Sequence, residues 1–157
     1  MPSRSQFGSL LDDPRDAKAA SVVLVTDPLA GALAVTDAFL STFNALDAEG
    51  HAATLAYPHV RLASGRVRVW QTLDEAAEAM STNMSLLRER VGWDHSKWDH
   101  RRLIHSSEDK VHLDVCFTRY RADGSVIGVY PAVYVVVAGD AGAGAGWLVQ
   151  ARSSFAP

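Results

Sequence analysis

The chain has 157 residues, 48% of them hydrophobic and 21% charged, with a formal net charge of −3. That size suits one domain able to bury a core without disulfide or metal staples, and no apolar run approaches the roughly 18 residues that a membrane-spanning helix requires. The arginines are interspersed with acids and make no basic stripe, which argues against a nucleic-acid partner, while the lone Cys116 excludes an intramolecular disulfide and cannot hold a thiolate metal cluster by itself.

Met1 to Ser21 is polar, carries Pro2 and Pro14, and has no sustained period, so residues 1–26 are expected to form a mobile arm ahead of a single domain at 27–157. The apolar stretch from Ala19 to Val25 is short and follows Asp12, Asp13 and Asp16 instead of a basic region. It is not read as a signal peptide, and a cytoplasmic protein is expected.

Asp27-Pro28 opens a helix, because Asp27 can cap the free amides and Pro28 at the first helical position loses no hydrogen bond. Leu29, Leu33, Phe39, Leu40, Phe43 and Leu46 then place one apolar stripe along about five turns. Asp47 is expected to cap a second, short and exposed helix from Ala48 to Ala56, which Tyr57-Pro58 stops. Val60 to Ala63 and Arg66 to Trp70 read as a hairpin around Ser64-Gly65. Thr72 and Glu75 have capping-box spacing for a third helix, whose apolar positions from Leu73 to Val91 repeat at helical period up to Gly92.

A strand is expected from about Lys97 to Ser106, with a turn at Ser107-Glu108-Asp109. Val111, Leu113, Val115 and Phe117 then alternate with His112, Asp114, Cys116 and Thr118, the mark of a strand with one buried face. Asp123-Gly124 supplies the turn into the apolar run from Val126 to Ala138, and a glycine-rich connection at Gly139 to Gly146 leads to a last strand from Trp147 to Phe155.

The order helix, short helix, hairpin, helix and four-strand meander resembles the nuclear transport factor 2-like superfamily, which includes ketosteroid isomerases, scytalone dehydratases and SnoaL-type cyclases. The resemblance rests on Phe39-Leu-Ser-Thr-Phe-Asn-Ala-Leu-Asp47, on Tyr57-Pro-His-Val-Arg-Leu-Ala-Ser-Gly65 and on Trp147-Leu-Val-Gln-Ala-Arg-Ser-Ser154. It implies an α+β cone, the NTF2-like fold, in which three helices pack on a strongly curved, mostly antiparallel sheet with a pocket at the open end. Many such proteins pair sheet to sheet as homodimers. The carboxylate base of the isomerases would fall near Ala63, so that base is missing, whereas Asp47 matches an aspartate of some dehydrating members and Tyr134 falls near a donor position of the isomerases.

Fold does not carry function, so the pocket is read residue by residue. Tyr57, His59 and Arg61 share one strand face, and Tyr130 and Tyr134 share another with Ala132. With Trp70 these residues make the expected ligand wall: Tyr57, His59, Trp70, Tyr130 and Tyr134. The expected ligand is a small apolar or aromatic metabolite that can bear a carbonyl, with no metal and no cofactor. An isomerase, cyclase or dehydratase using His59 or Asp47 as acid or base is the second reading, and a filled cone serving only dimerisation is the third. Arg152 could clamp a carboxylate if its face turns inward, although an exposed or interfacial ion pair is the expected role. His51 is expected on the exposed short helix.

Overall fold

A computed structural model describes residues 27–139 and 146–155, so the expected arm at 1–26 and most of the Gly139–Gly146 connection lie outside the described residues. Three helices, α1 (Pro28–Asn44), α2 (Ala48–Ala52) and α3 (Leu73–Val91), accompany six strands. The strands are β1 (Leu55–Ala63), β2 (Arg66–Trp70), β3 (Trp93–Ser106), β4 (Lys110–Arg121), β5 (Val126–Ala138) and β6 (Trp147–Ser154). They form one sheet in the order β2-β1-β6-β5-β4-β3, in which β1 and β6 run parallel and every other pair antiparallel. The expected cone is thus present, and register shifts in four of the five strand pairings bend the sheet around the helices.

Local chemistry accounts for the helix ends. Asp27 accepts from the Leu29 amide, Thr72 accepts from the Glu75 amide, and Glu75 reaches back to the Gln71 amide at 2.7 Å. Gly92 closes α3 in the left-handed region at φ 70°. The first helix is shorter than its apolar stripe suggested: it ends at Asn44, leaving Leu46 half exposed at φ 58°. A reciprocal pair, Asn44 Nδ2 to the Ser96 carbonyl and the Ser96 amide to Asn44 Oδ1, each 2.9 Å, ties that end of α1 to β3.

Two strands start earlier than their periods indicated. The Thr54 amide and hydroxyl both close onto the His51 carbonyl, so α2 stops at Ala52 and β1 starts at Leu55, ahead of Pro58. Pro58 is tolerated because β2 pairs only with His59 to Ala63 and the β1/β6 ladder is irregular between Leu55 and Val60. Likewise β3 begins at Trp93, directly after the Gly92 cap of α3.

The core lies between α1 and the concave face. Ala32, Val35, Phe39 and Phe43 recur at helical spacing and pack with Leu113, Val115, Tyr134, Val136 and Val149 of the central strands. Gly31 lets α1 approach the sheet, since a Cβ there would stand 2.0 Å from Cδ1 of Trp147. Arg101 fastens the other side, donating to the Leu33 carbonyl and the Thr36 hydroxyl and pairing with Asp37 at 2.7 Å. Among the described residues no helix is long and apolar enough to cross a membrane.

Candidate functional site

The concave face holds a cavity of about 80 Å³ walled by Phe39 and Phe43 of α1, His51 of α2, Met80 and Asn83 of α3, and residues of five strands. Arg61, Arg119 and Arg152 are among those strand residues, together with Phe117, Tyr130 and Tyr134. No Asp or Glu is among the described residues of the wall. The outcome is unusual for a cavity of this depth: positively charged groups converge without an acid to neutralise them.

Register explains how they meet. Arg68, Arg61, Arg152 and Tyr134 are successive cross-strand partners on β2, β1, β6 and β5, so they stand in one row on one face. Arg119 extends the inward stripe of Val111, Leu113, Val115 and Phe117 along β4. Among the described residues Arg101 is the only arginine in an ion pair, and none of the cavity arginines forms one there.

Aromatic faces supply part of what carboxylates do not. The Arg119 guanidinium sits 4.7 Å from the Tyr130 ring centroid, and that of Arg152 sits 5.1 Å from the centroid of Phe39. Arg152 is only 8% exposed, and burial pulls its pKa down to about 10, so it remains charged at neutral pH. Burial likewise lowers Arg61 and Arg119. Nε of Arg61, Nε of Arg119 and Nη2 of Arg152 are buried without a hydrogen-bond partner. Each such buried donor costs on the order of 1–3 kcal/mol until something accepts from it.

His59 stands behind this wall and does not line it. Its Nδ1 lies 2.8 Å from the Val149 carbonyl, which can only accept, so the proton is on Nδ1 and the bare Nε2 accepts from Arg152 Nε at 3.0 Å. Burial, followed by Arg152, lowers its pKa to about 3. A ring held neutral with both nitrogens engaged positions Arg152 and has no free site for proton transfer.

His51 has the opposite geometry. It is fully buried, not exposed as its short helix suggested, because α2 packs its ring 4.2 Å from the Phe39 centroid and 5.3 Å from that of Phe43. Its Nδ1 donates to the Phe39 carbonyl at 2.9 Å, and Nε2 is left buried with no partner beside the cavity. Burial and then Arg152 bring its pKa to about 3.

Of the expected wall, Tyr130 and Tyr134 line the cavity and Tyr57, His59 and Trp70 do not. Tyr57 turns its hydroxyl to the Ala52 carbonyl at 2.7 Å, and Trp70 packs beside His59 in the core. Tyr134 is buried, with its pKa raised by that burial against the pull of Arg152. Asp47 caps α2 by accepting from the Gly50 amide at 2.9 Å and lies outside the wall. Arg152 turns inward, contrary to the expected surface ion pair, because the β5/β6 register shifts between Val135 and Val136 and reverses which β6 residues face the core. No group of three or more His, Cys, Asp or Glu among the described residues could hold a metal ion.

Arg61 and Asn83 also border a second, more open cleft of about 330 Å³ with Ser64, Arg66 and Arg68. The basic row therefore continues from the buried cavity to solvent.

Residues 32–150 match the sequence profile of a family described as NTF2-like protein (DUF6841). Among curated proteins no match is found. Solved structures are similar in fold. A ketosteroid isomerase-like protein from Erwinia carotovora atroseptica is 20% identical with a TM-score of 0.61, over 83% of this chain and 98% of its own. An NTF2-like protein with a cystatin-like fold from Novosphingobium aromaticivorans is 13% identical with a TM-score of 0.65, over 92% and 90%. A protein from Catenulispora acidiphila, solved in complex with S-DNPA, is 18% identical with a TM-score of 0.61, over 81% and 91%.

Proposed function

The chain belongs to the NTF2-like family DUF6841, and from that premise we propose that it binds a small organic carboxylate, with an apolar or aromatic body, inside its cone. One observation carries this reading: Arg61, Arg119 and Arg152 surround a single cavity whose described wall contains no acid. A carboxylate accepts from guanidinium groups in strong charge-assisted bonds and would satisfy donors that are otherwise buried and unpartnered. A neutral carbonyl compound would leave the positive charge in place. The cavity, at about 80 Å³, is smaller than the roughly 150 Å³ that encloses benzene, so it suits a head group whose body reaches toward Arg61 and Asn83.

Binding is favoured over acid-base catalysis by His59 or Asp47, since one ring has both nitrogens engaged and the other group is an exposed cap. The Catenulispora protein's complex with S-DNPA supports ligand occupancy in this fold. Sheet-to-sheet homodimerisation is a further part of the proposal, supported by the exposed Leu62, Val67, Val69 and Val129 on the convex face. Sedimentation of the wild type and of Val67→Glu tests it: a dimer that becomes a monomer is the expected result.

The test of binding is thermal shift with benzoate, phenylacetate and short alkanoates against their methyl esters. Carboxylates should raise the melting temperature, esters should not, and Arg152→Met and Arg119→Met should each abolish the shift. Stabilisation by neutral esters alone would replace the anion with an apolar ligand, and no shift from either class would favour a purely structural domain.

A further inference from the structure

Among the described residues the cavity wall is rich in unpartnered donors and has one buried, unpartnered side-chain atom that can only accept. The Nε2 of His51 carries a lone pair, because the Phe39 carbonyl at 2.9 Å fixes the proton on Nδ1. His51 is fully buried and lines the cavity, and its Nε2 has no hydrogen-bond partner. Arg152 Nη2, an unpartnered donor of the same wall, does not bond to it. Both side chains pack against Phe39, the imidazole at 4.2 Å and the guanidinium at 5.1 Å from its ring centroid. A ligand that satisfies only the arginines leaves this acceptor empty.

Resting on the anion reading above, we infer that the ligand is a hydroxy acid, its carboxylate held by Arg61, Arg119 and Arg152 and its hydroxyl donated to Nε2 of His51. The imidazole cannot exchange roles by taking up a proton, since burial keeps its pKa near 3. An ammonium group could also donate, but it would bring a further positive charge among three guanidinium groups. A hydroxyl donates without charge. Burying a bare acceptor next to a bound apolar body costs about as much as a lost hydrogen bond, so the site should discriminate against the deoxy acid by about tenfold or more.

Titration calorimetry with the full chain, using matched probes at constant ionic strength, tests the assignment: mandelate against phenylacetate, lactate against propionate, and 4-hydroxybenzoate against benzoate. At least one hydroxy acid should bind about tenfold tighter than its deoxy partner, and its methyl ether, which keeps the oxygen and loses the proton, should lose that advantage. In His51→Phe the deoxy acid should bind as before and the preference should vanish. Equal affinities within every pair, or a preference that survives His51→Phe, would overturn the hydroxyl assignment while leaving anion binding intact. Failure of every acid to bind wild type would overturn both readings together. The comparison of wild type with hydroxy, deoxy and methoxy acids needs no variant, so poor folding of His51→Phe would not obscure the answer.

Discussion

Arg61 on β1 and Arg152 on β6 are direct partners across the one parallel seam of the sheet, and neither makes an ion pair among the described residues. Two like charges on adjacent strands of a concave face oppose folding, and a bound anion removes that opposition. With the proposed anion as ligand, function and stability therefore pull in different directions at this row.

Arg61→Met is expected to raise the stability of the unliganded chain by about 1 kcal/mol, or about 2–4 °C in melting temperature. The same substitution should weaken carboxylate binding at least tenfold, roughly the loss of one charge-assisted hydrogen bond. Calorimetric melting with and without ligand measures both effects. A variant that is less stable when empty would mean that Arg61 is satisfied by another part of the chain.

Arg66 and Arg68 border the open cleft through which the basic row reaches solvent. Charges placed there act on encounter more than on the bound state, and salt screens them. Arg68→Glu should slow association by about tenfold at low ionic strength and flatten its salt dependence, with little change in dissociation. Stopped-flow kinetics at two salt concentrations distinguishes this from a direct contact, which would raise the dissociation rate.

The buried histidines set a pH dependence of stability. His51 and His59 both titrate near 3 in the folded chain against an ordinary 6.5, chiefly because of burial. Between those values the unfolded chain binds protons that the folded chain refuses, so their effect is absent above about 6.5 and stability is lost as pH falls below it. Each ring contributes a slope of up to about 1.4 kcal/mol per pH unit. Denaturant unfolding from about pH 6.5 to about pH 5, above most carboxylate titration, should lose up to about 2 kcal/mol per ring, and His51→Phe should halve that loss. A flat profile in this window would show that the folded rings accept protons.

Gly31 is needed where α1 meets Trp147. A Cβ there would fall 2.0 Å from Cδ1 and 2.3 Å from Nε1 of the indole, so Gly31→Ala must displace either the helix or the ring. A loss of about 1–3 kcal/mol is expected, partly recovered in the double variant with Trp147→Leu. Additive losses in the double variant would place the strain elsewhere.

Much of the cone was legible before its structure. Asp27-Pro28, the Thr72 capping box, Gly92 and the turn at Asp123-Gly124 mark element ends by local chemistry, and those ends are where the structure has them or within a few residues. The shared face of Tyr130, Ala132 and Tyr134 follows from alternation on one uninterrupted strand. Alternation on β4 also runs on from Phe117 to Arg119, a signal for an inward arginine that the residue type itself conceals.

The remainder depended on partners far away in the chain. A helix of five residues has too little period to say which side is buried, so His51 became part of the wall only through Phe39 and Phe43 packing over it. Arg152 turned inward because a register shift against β5 broke the parity of β6, and a slip of one residue exchanges the faces of everything beyond it. The sequence by itself determined the elements and their order, since caps and periods are local consequences of hydrogen bonding and of residues avoiding water, whereas the cone was implied by the family resemblance and not by any period. Tertiary structure alone decided the chemistry of the cavity, because gathering Arg61, Arg119 and Arg152 around one space without an acid is a property of strand order and register.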